Sequence, residues 1–363
     1  MELGFLLCFS YDKMLSSINN LKLNSLWWIQ GFILKLCPSF IKIKKVTDIT
    51  MKNKYLNKII NADSISFLDH IDENSIDLIV SDIPYGISLD DWDILHNNKN
   101  SAFGGSSKAQ NKSTLYKRRG KPLNGWSEAD KNIPKEYQNW CDSWSYKWYK
   151  VLKPGSSCFI FAGRRFAHRA IVSLEDAGFT FKDMISWNKS SAAYRGQRIS
   201  KVFERRKDFN NAIHWTGWRT GNLRPLFEPI LWFQKPYKQG DTLTDNVLNY
   251  GVGAWNDTAM EKYISFNRKI ENNSNIFHLR NLEKGERYHE AQKPVSLMKL
   301  LIELTTKHDN AIILDPFAGS GSTCVAAKEL GRQYIGIELN SDYCQIAEKR
   351  LDSISYIQKD FFN

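Results

Sequence analysis

Asp82-Ile83-Pro84-Tyr85 follows an apolar, β-branched run from Ser75 to Ser81. These four residue types suit work on an exocyclic amine of a nucleobase. Such a nitrogen is a poor nucleophile because its lone pair is delocalised into the ring. A carboxylate on Asp82 and the carbonyl of Ile83 could accept its two N–H bonds and favour a pyramidal nitrogen with the lone pair free. The same acceptors stabilise positive charge that develops as the nitrogen attacks a methyl sulfonium. Pro84 stiffens the loop and offers no competing donor. Tyr85 can stack on a base taken out of a helix. For these four residues alone, a plain strand-ending turn is the simpler reading.

A second constellation runs Ile313-Leu314-Asp315-Pro316-Phe317-Ala318-Gly319-Ser320-Gly321-Ser322-Thr323 and closes on Glu338. A strand leads into a glycine loop that opens a helix, and an acid ends the next strand. The glycines allow close backbone approach to a ligand, and the helix start presents free N–H groups. Glu338 lies 338 − 315 = 23 residues beyond Asp315. Nucleotide folds place a ribose-binding acid at about 20 residues. The loop matches GxGxxG poorly and no GK[ST] follows, which disfavours a nicotinamide enzyme and an NTPase.

The elements that must hold these groups read as follows. Asn61 to His70 is a turn and a short helix with Asp63 near its start, and Ser75 to Ser81 is a buried strand. Residues 97 to about 135 form a long polar loop. Tyr137 to Val151 is a helix with Trp140, Trp144 and Trp148 on one face, more a core stripe than a base-stacking one. Lys153-Pro154-Gly155 is a turn, Ser157 to Ala162 a strand, Arg164 to Ala177 a helix and Phe181 to Trp187 a strand. This alternation predicts a parallel sheet with helices on both faces. Residues 190 to about 275 break it and read as irregular, basic and aromatic. Regular structure returns with a helix over Val295–Thr306, a strand over Ala311–Leu314, a helix over Ser322–Leu330, a strand over Gln333–Ile337 and a helix from Asp342.

The chain has 363 residues, 42% hydrophobic and 25% charged, with 50 Lys+Arg against 39 Asp+Glu, or 50 − 39 = +11. This excludes a mainly disordered chain, a collagen and a coiled coil. The positive charge is concentrated: residues 195–240 carry ten cations and three anions, 10 − 3 = +7. Twelve Trp accompany it, and nucleic acid is the first partner to consider. The six Cys, at 8, 37, 141, 158, 324 and 344, form no CxxC pair and lie near no spaced His pair. Free thiols in a reducing cytosol are expected, with no metal site. Lone His168 and His214 are expected as structural or phosphate contacts. No targeting signal is evident, and Leu26 to Leu34 falls short of the roughly 20 apolar residues that a span needs. Residues 1–50 carry no motif and read as an added arm or the product of an upstream start codon.

Taken together and in this order, the motifs resemble those of S-adenosylmethionine-dependent DNA amino-methyltransferases, in the permuted group with the catalytic motif first. The order is Asp82-Ile83-Pro84-Tyr85, the basic region 190–275, His289-Glu290-Ala291-Gln292-Lys293-Pro294, then Asp315 to Gly321. Val151-Leu152-Lys153-Pro154-Gly155 also matches a family turn, and the resemblance covers roughly residues 51 to 350. It implies an α/β fold: a Rossmann-like, doubly wound, mostly parallel sheet with an inserted target-recognition region. The implied organisation is an extension over 1–50, a catalytic half over 51–189, target recognition over 190–285 and a cofactor half over 286–363.

The resemblance also implies roles. Asp82 accepts from the target amine with the Ile83 carbonyl, Pro84 stiffens the loop and Tyr85 stacks on the flipped base. Asp63 meets the cofactor adenine, Glu338 holds its ribose hydroxyls, and Asp315 lies near its amino-acid end. Phe317, Gly319 and Gly321 line it, and Lys293 and Ser296 contact its methionine part. The family usually has Pro where this chain has Ile83, but the carbonyl is retained. His-Glu-Ala-Gln-Lys-Pro also departs from the commoner His-Pro-Thr-Gln-Lys-Pro. The leading expectation is methylation of adenine N6 in double-stranded DNA in the cytoplasm, with a cognate restriction endonuclease as a typical partner. Cytosine N4 is the close alternative. A non-catalytic nucleic-acid binder and an RNA methylase are the further ones. No membrane partner is expected, and the oligomeric state is left open, with a homodimer one option.

Overall fold

The computed structural model describes residues 54–85, 128–189, 192, 196–221, 223–264, 274–279, 292–307 and 310–354. The readings placed on residues 1–50, on the loop up to residue 127, on part of the basic region and on His289-Glu290-Ala291 lie outside these. From Tyr55 onward the described chain belongs to one compact unit.

Among the described residues, eight strands form one sheet: β1 (Lys58–Asn61), β2 (Ile76–Asp82), β3 (Leu152–Phe161), β4 (Thr180–Asn188), β5 (Phe227–Gln234), β6 (Ile276–His278), β7 (Ile312–Asp315) and β8 (Gln333–Glu338). Their order is β1-β8-β7-β2-β3-β5-β4-β6. Every pairing is parallel except those of β5, which runs antiparallel to both β3 and β4. The fold is the mostly parallel α/β sheet expected.

The strands that hold the site are apolar on both faces. On β2, Leu78 and Val80 join one core while Ile76 and Ile79 join the other. That explains the unbroken apolar run, since a strand covered on both sides has no polar face to show. The described helices are α1 (Ser64–Phe67), α2 (Glu128–Val151), α3 (Ala167–Asp176), α4 (Ile199–Arg205), α5 (Phe209–His214), α6 (Leu243–Tyr250), α7 (Thr258–Tyr263), α8 (Val295–Thr305), α9 (Ser322–Glu329) and α10 (Ser341–Asp352). Helices α2 and α3 bury one face of the sheet, and α8, α9 and α10 bury the other.

The connection β2–α2–β3 steps to one side of the sheet, and β7–α9–β8 steps to the other. The strand order therefore reverses between β2 and β7. In open α/β sheets that reversal opens a crevice outside the carboxyl ends of the strands, where ligands bind. Asp82 ends β2 and Asp315 ends β7, so the two sequence motifs meet at the crevice.

Four expectations are corrected. Helix α2 starts at Glu128 and runs through Pro134, where the long loop was expected to reach about residue 135. Lys153-Pro154-Gly155 is no separate turn but a bulge within β3. Ile76 pairs with Leu152 and Leu78 with Ser157, so β2 advances two residues while β3 advances five, 5 − 2 = 3 extra. Gly155 permits it at φ +81°, where an added Cβ would lie 2.1 Å from Asn246 Nδ2. The chain over 190–275 is not irregular throughout, because β5 fills the slot between β3 and β4. Its apolar Ile230-Leu231-Trp232-Phe233 is flanked by basic sequence that hides it. Strand β1 was not foreseen at all. No helix among the described residues is long and apolar enough to cross a membrane.

Gly336 on β8 links the sheet to the glycine loop. A Cβ built there lies 2.6 Å from Ile59 Cδ1, 2.8 Å from Cys324 Sγ and 3.2 Å from Ala318 Cβ. We predict that Gly336→Ala loses about 1–3 kcal/mol of stability through this overpacking. Urea unfolding measures it, and an unchanged midpoint would contradict the packing described.

Candidate active site

Asp82 is the last residue of β2, and the chain leaves the sheet through buried Ile83. The Pro84 carbonyl accepts the Tyr137 hydroxyl of α2 at 3.1 Å, which ties the loop to the helix. Tyr85 donates its hydroxyl to Glu228 Oε1 at 3.1 Å. Gly163 lies directly behind it, and a Cβ there would stand 2.9 Å from Tyr85 Cβ. The loop is thus held at three consecutive residues.

The two oxygens of Asp82 differ. Oδ2 accepts from the ammonium of Lys293, a fully formed ion pair. Oδ1 is buried and has no hydrogen-bond partner. Burial raises the Asp82 pKa, Lys293 opposes this and Glu228 adds to it, leaving a net rise. Burial works against the charge of Lys293 too, but Asp82 and Glu228 outweigh it and hold its pKa above the usual value. Glu228 is drawn the opposite way: burial disfavours its charge, and Lys293 and Lys189 more than compensate. Lys189 Nζ lies 2.9 Å from Glu228 Oε2. Burial, with Asp82 and Glu228 beside it, pushes the Tyr85 phenol well up, so it stays a donor. Although Asp82 is a neighbour, the hydroxyl's hydrogen bond goes to Glu228.

The other side of the crevice is built on β7 and β8. Asp315 Oδ1 accepts from Ser81 Oγ at 2.7 Å and from Phe317 N at 3.2 Å. Ser81 precedes Asp82, so the two acidic strand ends are bonded side by side. Burial pushes the Asp315 carboxyl up to about 6, against the hydroxyls of Thr323 and Ser81. Glu338 accepts Gly319 N through Oε2 and Asn340 N through Oε1, each at 2.8 Å. Gly319 sits at φ +49° with open space where a Cβ would be, and Gly321 at φ +80° leaves no room for one against Ala347. Phe317 leans on Trp140, Trp144 and Trp148, with ring centroids 5.7, 6.3 and 6.0 Å away. Arg350 donates from inside the fold to the Ser320 carbonyl at 2.5 Å.

Asp63 is exposed and caps α1, accepting from Ser66 N at 3.1 Å. It lies two residues beyond Asn61, whose strand partner is Glu338. Ser296 lies in the first turn of α8, three residues after Lys293. The structure thus gathers Asp82, Ile83, Pro84, Tyr85, Lys293 and Asp315 around one crevice, with the glycine loop and Glu338 next to them. Glu228, Lys189, Ser81, Tyr137 and Arg350 were missed. The Trp spacing could have suggested the floor under Phe317, whereas Glu228 gave no signal because β5 went unread. Among the described residues, no group of three or more His, Cys, Asp or Glu could hold a metal ion.

Comparison with known proteins agrees with this geometry. A family model described as DNA methylase, of the N6/N4 type, matches residues 76–349, from β2 into α10. The type II methyltransferase M.HindIII of Haemophilus influenzae is 59% identical over 293 residues, covering 81% of this chain and 94% of that protein. M.HpaI of Haemophilus parainfluenzae, another type II methyltransferase, is 27% identical over 303 residues, covering 82% and 74%. In fold, the chain resembles the PvuII DNA methyltransferase, described as cytosine-N4-specific, with a TM-score of 0.51 at 18% identity over 82% of this chain and 88% of that one. An acid at each of two neighbouring strand ends, a glycine loop between them and these relatives converge on one conclusion: the chain belongs to the N6/N4 family of DNA methylases.

Proposed function

We propose that this DNA methyltransferase transfers a methyl group from S-adenosylmethionine to the N6 amine of an adenine flipped out of duplex DNA. One observation carries the reading: Asp82 keeps a buried acceptor oxygen without a partner at the crevice between β2 and β7. A buried acceptor left unsatisfied costs stability, so it is the place for a donor that arrives with the substrate.

The residues present fit the cofactor. The open side of Gly319 leaves room for a ligand against the loop backbone. Asp315 suits a cationic amino group, Glu338 a pair of hydroxyls and exposed Asp63 the adenine amine. Phe317 and Gly321 line the cofactor with Gly319. Ser296 takes the methionine part together with Lys293, which stands three residues ahead of it, just before α8. When bound, S-adenosylmethionine supplies an electrophilic methyl group.

The chain's own residues do the rest. Asp82 Oδ1 and the Ile83 carbonyl accept the two N–H bonds of the target amine, which frees the lone pair to point at the methyl group. Asp82 stabilises the positive charge that grows on nitrogen and is in bonding position to take the proton that nitrogen loses. Tyr85 supplies a face for the flipped base. Asp as the first loop residue favours adenine on the family resemblance. Cytosine N4 remains the second reading, because that amine needs the same two acceptors and the PvuII enzyme of like fold is described as acting there.

Target recognition is assigned to the part of 190–285 outside β5, which belongs to the sheet. Residues 196–221 support this: they carry six Lys or Arg against two acids, 6 − 2 = +4, and expose Phe209, Ile213 and Trp218. The catalytic half is 51–189 and the cofactor half 286–363. The likeness to type II methyltransferases supports a role as the modification partner of a restriction endonuclease, acting on cytoplasmic DNA.

Incubation with S-adenosylmethionine and mixed-sequence duplex DNA, followed by mass analysis of the nucleosides, tests the reading. N6-methyladenine is expected. N4-methylcytosine would keep the mechanism and change the base. No methylated nucleoside from DNA, or methyl transfer to RNA alone when RNA is added in competition, would overturn the assignment. Asp82→Ala is expected to bind the cofactor normally and to transfer about 100- to 1,000-fold more slowly.

Asp315 predicts a pH dependence of binding. Its carboxyl titrates at about 6 in the free protein, so it is ionised above that pH and neutral below it. Cofactor affinity should be flat above pH 7 and weaken by up to about tenfold per unit below pH 6. Calorimetry across pH 5–8 reads this, and Asp315→Asn should flatten the profile.

A further inference from the structure

Glu228 is a half-buried carboxylate that the transfer mechanism does not use. It stands at the start of β5, and because β5 is antiparallel its first residues lie at the carboxyl end of the parallel strands. This one reversed strand delivers Glu228 to the crevice. There Glu228 accepts the Tyr85 hydroxyl at 3.1 Å on one side and meets Lys189 at 2.9 Å on the other.

Lys189 has its own position in the fold. It follows β4 directly, and its backbone N–H donates to the Leu226 carbonyl at 2.7 Å. Further out, Arg224 donates to the Ala192 carbonyl at 2.9 Å, and Arg198 pairs with Arg219 as an isolated bridge. Among the described residues, 189, 192, 197 and 198 thus pair with 226, 224, 220 and 219 as the root of the insert. Beyond the root lie the cations and exposed aromatic residues of 196–221. The root of that basic insert and the Tyr85 hydroxyl are joined through one carboxylate.

We propose that Glu228 is a positioning residue for the target-base step: it fixes the Tyr85 ring by its hydroxyl while Lys189, at the root of the insert, fixes Glu228. This rests on the function proposed above. It adds that the placement of Tyr85 depends on how the insert is rooted. Gly163 packs against the base of the Tyr85 side chain, and the hydroxyl's bond to Glu228 restrains the far end of the ring.

The test compares Glu228→Ala, Glu228→Gln, Tyr85→Phe and Tyr85→Phe/Glu228→Ala in the full chain. Methyl incorporation into duplex DNA is followed at saturating S-adenosylmethionine, with cofactor affinity measured separately. Glu228→Ala should slow transfer about 10- to 100-fold, the usual effect of a misplaced group, with cofactor affinity changed by less than about twofold. Glu228→Gln, whose amide carbonyl still accepts the hydroxyl, should recover to within about fivefold of the parent. Adding Glu228→Ala to Tyr85→Phe should slow transfer by less than about threefold more, since the two act through one contact. A parent rate in Glu228→Ala, or losses that multiply in the double variant, would overturn the proposal. If Glu228→Ala fails to fold, Glu228→Leu, which keeps the bulk but has no acceptor, alone and combined with Tyr85→Phe carries the same cycle.

A second readout is independent of methyl transfer. With 3-fluorotyrosine at position 85, the fluorine resonance should shift and broaden in Glu228→Ala without DNA. An unchanged resonance would overturn the anchor. A shifted resonance in a parent that methylates no DNA would instead overturn the proposed function and leave the anchor standing.

Discussion

The crevice is organised around the buried ion pair between Lys293 and Asp82. Removing one partner of such a pair leaves an uncompensated charge, at a typical cost of about 3–5 kcal/mol. The pair does more than balance charge. It occupies Oδ2 and thereby leaves Oδ1 as the unpartnered acceptor. It also opposes the burial that raises the Asp82 pKa. Lys293 reaches Asp82 because it stands just ahead of α8, whose apolar face is packed in the sheet's core. Glu228 and Asp315 both favour the charge of the same ammonium, and the ammonium in turn lowers the Glu228 pKa.

The cofactor side of the site is held by packing rather than by charge. Trp144 and Trp148 are fully buried and, with Trp140, form a floor under Phe317. Their four-residue spacing follows from the helix period, which keeps all three on one face of α2. Arg350 braces the loop from the other direction through Ser320. The glycine loop is therefore positioned by residues far from it in sequence, and Glu338 ties its middle to β8.

Much of this was legible in the chain. The apolar run before Asp82 and the strand-loop-helix around Asp315 announced two strand ends with acids, and both motifs fall at the switch point. What could not be read was non-local. Strand β5 lies in a basic, aromatic stretch, and its place between β3 and β4 is set by a slot that the β3–α3–β4 crossover leaves open. Without β5, Glu228 is one acid among many, and the partners of Tyr85 and Lys189 stay hidden. Lys293 was recognised as a site residue through the resemblance, but its pairing with Asp82 spans 211 residues of sequence and no local pattern encodes it. The start of α2 was hidden in a simpler way: the polar stretch ahead of Tyr137 read as loop, whereas the helix already begins at Glu128 and runs through Pro134.

Lys293 holds one oxygen of Asp82 and lowers a carboxyl pKa that burial raises. The most direct test is the pH profile of single-turnover methyl transfer in Lys293→Met at saturating cofactor. Loss of the ammonium removes the influence that lowers the Asp82 pKa, while burial and Glu228 still raise it. The rate in the variant should therefore fall at neutral pH and rise only as the pH increases, displaced to the alkaline side of the parent's profile. A profile that coincides with the parent's, or moves to the acid side, would contradict the account.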